Sequence, residues 1–145
     1  MEKLRFTIDI NAPREKVWSS LWEDANYRIW TSAFSEGCYA ESDWKEGSKI
    51  LFLGPNGTGM YSMIEKKTEN EFMSFKHLGE VKDFKELPND DVSKSWNGSH
   101  ENYTLTATGS GTHLVVELDV VTDFIDYFND TFPKALKKLK EIAEK

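Results

Sequence analysis

Three histidines, one cysteine and a glycine-rich run are the residue types in this chain that invite chemistry. His77, His100 and His113 fall on different predicted strands, with no H-E-x-x-H or C-x-x-C spacing to put ligands on one face. No metal site is expected, and no cofactor. Cys38 would act as a nucleophile only with a base in hydrogen-bond reach. No local signature supplies one, so it reads as a small hydrophobe on the second strand. Gly54-Pro55-Asn56-Gly57-Thr58-Gly59 lacks the Lys-Ser/Thr pair and following helix of a phosphate loop, and reads as a hairpin turn. His77 shares strand parity with Met73 and Phe75, where it would orient a ligand by hydrogen bonding or titrate near neutrality. Phe72 and Leu78 hold the other parity, so the inward row of strand 71–78 stays open. No acid/base pair can be located, and no catalytic residue is assigned.

The elements that must position these groups follow from periodicity. Leu4, Phe6, Ile8 and Ile10 alternate as a half-buried strand, Asn11-Ala12-Pro13 breaks it, and Val17, Trp18, Leu21 and Trp22 lie on one face of a helix. Asp24 to Trp30 reads as a second short helix with Asp24 as N-cap. Strands follow at 38–44 and 48–53 around Lys45-Glu46-Gly47, at 60–66 after the glycine-rich turn, and at 71–78 after Thr68-Glu69-Asn70. From Gly79 to Gly98 the pattern dissolves into charges and a proline, the signature of a long connection, either lid or solvated surface. Phe84, Leu87, Val92 and Trp96 predict that part of it packs back on the domain.

The last two strands, about 100–108 and 112–121, flank Gly109-Ser110-Gly111, giving seven strands with the later six as a meander. From Asp123 a long helix carries Phe124, Phe128, Phe132, Ala135, Leu136, Leu139 and Ile142 at intervals of three and four. Pro133 predicts a kink or break near Asp130-Thr131.

At 145 residues the chain fits a single domain spanning 1–145, with 39% hydrophobic and 30% charged residues. A net charge of −7 argues against nucleic-acid binding, which needs a basic face. No signal-peptide pattern and no run of apolar residues long enough to enter a bilayer occur, and Cys38 has no partner in the chain, so a cytoplasmic location without membrane insertion is expected. Sequons at Asn56, Asn97, Asn102 and Asn129 are then coincidental. Aromatic residues make up 13% of the chain, a surplus that leaves rings to line a pocket.

"INAPREKVWSSLW", Trp30, "DWKEGSKILF", "NEFMSFKHLGE" and a closing Gly-Thr strand before a long helix, in that order, resemble the SRPBCC or START-like helix-grip superfamily. Within it the chain is most similar to homologues of the activator of the ninety-kilodalton heat-shock chaperone's ATPase. The resemblance implies an α+β helix-grip fold: a seven-stranded curved antiparallel sheet around a long C-terminal helix, two short helices after the first strand, and a cavity between sheet and helix. It would place Trp30, Phe34, Phe52, Tyr61, Phe75, Tyr103, Phe128 and Phe132 on the second helix, the inner sheet or the gripping helix, with His77 near the cavity mouth. The function expected first is binding of a small apolar or aromatic ligand. The alternatives are a chaperone partner, bound through an activator-like interaction surface, and a cyclase- or hydrolase-like enzyme using His77 or a cavity Tyr or Glu as acid or base.

Overall fold

A computed structural model describes residues 1–88 and 97–145. The chain opens with β1 (Glu2–Ile10), α1 (Arg14–Trp22) and α2 (Asp24–Trp30), which runs into a 3₁₀ turn at Thr31–Ala33. There follow β2 (Tyr39–Glu41), β3 (Lys49–Leu53), β4 (Gly59–Thr68), β5 (Phe72–Lys82), β6 (Lys85–Glu86), β7 (His100–Thr108) and β8 (Gly111–Val120). A second 3₁₀ turn, Thr122–Phe124, leads into α3 (Ile125–Ala143). All strand pairs are antiparallel in the order β1-β8-β7-β5-β4-β3-β2, with two-residue β6 returning against β5. The curved sheet grips α3, as a helix-grip fold requires. Among the described residues no helix is long and apolar enough to cross a membrane.

The opening junction is built locally. Pro13 sits at the helix N-cap in extended geometry, and its carbonyl accepts from the N–H of Lys16 (3.0 Å) and of Val17 (3.1 Å). Val17, Trp18, Leu21 and Trp22 are then turned inward onto the sheet and α3. On α3 the buried positions Phe132, Ala135, Leu136 and Leu139 form the gripping stripe.

Several expectations are corrected. Asp24 does not cap α2; Glu23 occupies the cap without a side-chain bond, and Asp24 is the first helical residue, holding Arg28 Nε at 3.0 Å. The second strand is confined to Tyr39–Glu41, because Ser42 Oγ accepts from Trp44 N (3.0 Å) and donates to Lys49 O (2.8 Å), winding the chain out of the ladder. Cys38 therefore precedes the strand. β5 runs on through Gly79 to Lys82, then turns at Asp83 and Phe84, both at positive φ, into β6, so strand replaces the start of the predicted connection and the strands number eight among the described residues. A β-bulge at Leu78 separates the Tyr61–Gly79 pair from the Ser62–His77 pair, and an added Cβ on Gly79 would come within 2.4 Å of the Tyr61 ring. Phe84 stays exposed with its ring over Gly57, while Leu87 is half-buried. Val92 and Trp96 lie outside the described residues.

Helix α3 does not break at Pro133. Pro133 and Asn129 both face solvent, so water can serve the carbonyl left without an N–H donor. Phe124, counted on the helical stripe, lies in the preceding 3₁₀ turn and is 51% exposed.

Candidate functional site

Between the inner face of the sheet, the α2 end and α3 lies a cleft of about 760 Å³. Of the nine residues singled out from the sequence, seven border it: Trp30, Phe34, Phe52, His77, Tyr103, Phe128 and Phe132. Phe75 and Tyr61 do not. Phe75 is fully buried behind the wall, its ring 5.1 Å from that of Phe52 and 5.3 Å from that of Trp22. Tyr61 belongs to the outer row of β4, because its register partner Leu51 alternates with Ile50, and Ile50 and Ser62 are the fully buried pair. Its ring covers Gly79 and takes Lys49 Nζ at 5.6 Å from the centroid. On β5 the inward row is Met73, Phe75 and His77, which closes the parity left open by the sequence.

The sheet brings four polar side chains into one chain of hydrogen bonds. Ser62 Oγ and His77 Nδ1 are 2.7 Å apart, His77 Nε2 lies 3.2 Å from Glu101 Oε1, and the Tyr103 hydroxyl donates to Glu101 Oε2. An ionised carboxylate only accepts, so in this network the His77 proton resides on Nε2 and Ser62 donates to Nδ1. Every donor thus points, directly or through the imidazole, toward Glu101. Burial and the Glu101 charge push both Tyr103 and Tyr27 well above the ordinary phenol range, keeping both hydroxyls protonated.

Serine, histidine and carboxylate in hydrogen-bonded series are the parts of an acyl-transfer triad. Here Ser62 is fully buried and does not border the cleft, so no substrate carbonyl reaches its hydroxyl. Cys38 does border the cleft, half-buried; burial pushes its thiol up, against the opposing bonds from Ser35, and disfavours the nucleophilic thiolate. The remaining histidines face away: His113 Nδ1 meets Asp9 Oδ1 at 2.7 Å and His100 Nε2 meets Glu65. Among the described residues no three His, Cys, Asp or Glu side chains converge as metal ligands.

Glu101, Tyr27 and Trp22 border the cleft as well, beyond the nine residues expected from the sequence. For Glu101 a signal existed, since it shares parity with Tyr103 and Leu105, the buried row of β7. The indole N–H of Trp22 is buried and has no hydrogen-bond partner among the described residues, and the ring packs against those of Tyr103 (4.9 Å), Phe75 (5.3 Å) and Trp44 (5.8 Å).

A family model described as activator of Hsp90 ATPase homolog 1-like protein matches residues 11–144. Among solved structures the chain is similar to the Aha1 dimer from Colwellia psychrerythraea, with TM-score 0.75 and 21% identity over 99% of this chain and 97% of that one. Protein MLL2253 from Mesorhizobium loti gives TM-score 0.73 at 18% identity, covering 97% of this chain and 96% of that one. ChR145 from Cytophaga hutchinsonii gives 0.71 at 22%, covering 99% and 94%. At such identities the likeness is one of fold. No curated protein matches the chain.

Proposed function

The chain belongs to the family of activator of Hsp90 ATPase homolog 1-like proteins, of the helix-grip superfamily, and on that premise we propose that it binds a small apolar or aromatic molecule between sheet and α3. The observation that carries this reading is the cleft itself. Its volume of about 760 Å³ lies within the range of small-molecule sites, its wall is mainly apolar with eleven aromatic residues, and the polar side chains of His77, Glu101 and Tyr103 converge in it, the make-up such sites share. Two of the bordering residues, Phe124 and Tyr127, are also among the exposed large hydrophobics, which suits a mouth that changes cover when a molecule enters.

Native mass spectrometry of freshly purified protein tests the proposal without presuming the ligand. A co-purified small molecule lost on denaturation is the expected result. An empty protein whose Phe128, Phe132 and Tyr103 resonances stay unmoved by a broad library of apolar probes would refute it.

Family membership also favours a second reading, direct binding to an Hsp90-type chaperone. Its mark is a complex with the chaperone together with a raised chaperone ATPase rate. Loss of neither cleft rings nor Glu101 should affect that activity if it uses another face.

A further inference from the structure

We propose that the molecule held in the cleft carries a protonated amine, which docks against the Glu101 carboxylate while its apolar frame lies among the rings. The inference rests on the small-molecule reading above and narrows it to a chemical class.

Glu101 is a carboxylate on the inward row of its strand, with Phe75 and Leu118 as register partners on either side. Its side chain keeps 21% of its surface accessible, and it borders the cleft. Among the described residues each oxygen takes one donor, Oε1 from His77 and Oε2 from Tyr103, which leaves about two of roughly four acceptor positions without a partner there. A hydrocarbon closing over the cleft would strip the remaining water from this charge and offer nothing in return, which is costly. An ammonium group replaces that water with a short charge-assisted bond.

The surroundings favour the same class. Among the described residues that border the cleft there is no lysine and no arginine; the other charged one is Asp119, on the outward row of β8 and shared with Lys3 at 3.6 Å. An anionic head would therefore meet only negative charge. Tyr27, Trp30, Phe52 and Tyr103 also border the cleft, and aromatic faces attract cations through their quadrupoles. Burial first and the Glu101 charge second raise the phenols of Tyr27 and Tyr103, both of which border the cleft. A divalent metal is not the better guest, because a single carboxylate supplies too few oxygens.

The test is a ladder of three probes on one frame, naphthylmethylammonium, naphthylmethanol and naphthylacetate, titrated at neutral pH into the full chain and followed by NMR shifts of the cleft rings. The ammonium is expected to bind at least tenfold tighter than the alcohol, and the acetate most weakly. In Glu101→Gln the ammonium should lose at least tenfold and bind no tighter than the alcohol does to the same variant. Equal affinity of ammonium and alcohol, or tighter binding of the acetate, overturns the amine inference and leaves small-molecule binding standing. Binding of none of the three sinks both. Should the Gln variant fail to fold, the wild-type ladder alone decides, supported by salt: raised ionic strength should weaken the ammonium and leave the alcohol in place.

Discussion

Replacing Tyr103 with phenylalanine removes one hydroxyl and keeps a ring that packs 4.9 Å from Trp22 and 6.2 Å from Phe75. What is lost is the bond to Glu101 Oε2, a hydrogen bond to a charged group and worth about 1.5–3 kcal/mol. Because the Glu101 side chain is 21% accessible, water can take part of the vacated role, which puts the expected cost in the lower half, about 1.5–2 kcal/mol. Unfolding entropy for 145 residues is about 0.3 kcal/mol per kelvin, so Tm should fall by about 5–7 °C.

A pH series adds an independent check. The folded state holds Tyr103 protonated beyond the pH at which an unfolded tyrosine ionises, near 10, so its contribution is intact below about pH 10 and lost as pH rises further, by up to about 1.4 kcal/mol per pH unit. Urea unfolding at about pH 8 and about pH 11 should therefore show a shallower alkaline loss in the variant, with Tyr27 still contributing in both. A Tm within about 2 °C of the parent together with an unaltered alkaline loss would refute the assignment of charge and hydrogen bonding around Glu101.

Phe132→Ala removes a buried ring stacked 5.0 Å from Phe6 and meeting Phe34 edge-on at 5.0 Å, and calorimetry should register a loss of about 3 kcal/mol, the lower end for such truncations because the new space opens to the cleft. Gly59→Ala would set a Cβ 1.8 Å from the Phe52 carbonyl oxygen across the β3–β4 ladder, and should cost more than about 4 kcal/mol or leave no folded protein by circular dichroism. Pro133→Ala restores an N–H to the middle of α3; a gain of about 1–2 kcal/mol is expected in urea midpoints, an interior proline costing about 3 kcal/mol against about 1 kcal/mol of unfolded-state stiffness.

What the sequence discloses depends on the range of the interaction that decides each feature. The β1–α1 junction is legible because alternation, Pro13 and the next helical face are neighbours in the chain. The end of β5 is not, since Glu80 and Lys82 occupy the solvent row of a strand, where charge is ordinary, and Gly79 is required by a ring from the adjacent strand rather than by a turn. Tyr61 misleads for a related reason: the inward row of β4 contains Ser62, so hydrophobicity assigns the wrong row. Ser62 is tolerated there because His77 lies opposite to bond it. Glu101 is the same case with a charge, admitted to the inner face by Tyr103 and His77. Such polar residues become readable only once the partner strand is known.

Strand β1 pairs along its length with β8, from Glu2 opposite Val120 to Ile10 opposite Thr112, and the junction after it is tied to the end of α3 by the bond from Asn11 N to Glu144 (2.8 Å). This places a demand on biosynthesis. Strand β1 leaves the ribosome well before its partner β8, and at about 5–20 residues per second that delay is roughly 5–20 s. Throughout that interval Leu4, Phe6 and Ile8 have neither ladder partner nor helix to cover them. Closing so long a loop before any reward is collected makes folding slow relative to helical proteins of this size. The nascent chain is thus a natural dependant of whatever shields an unpaired apolar strand during translation, and a copy truncated before Gly111 leaves β1 permanently unpaired.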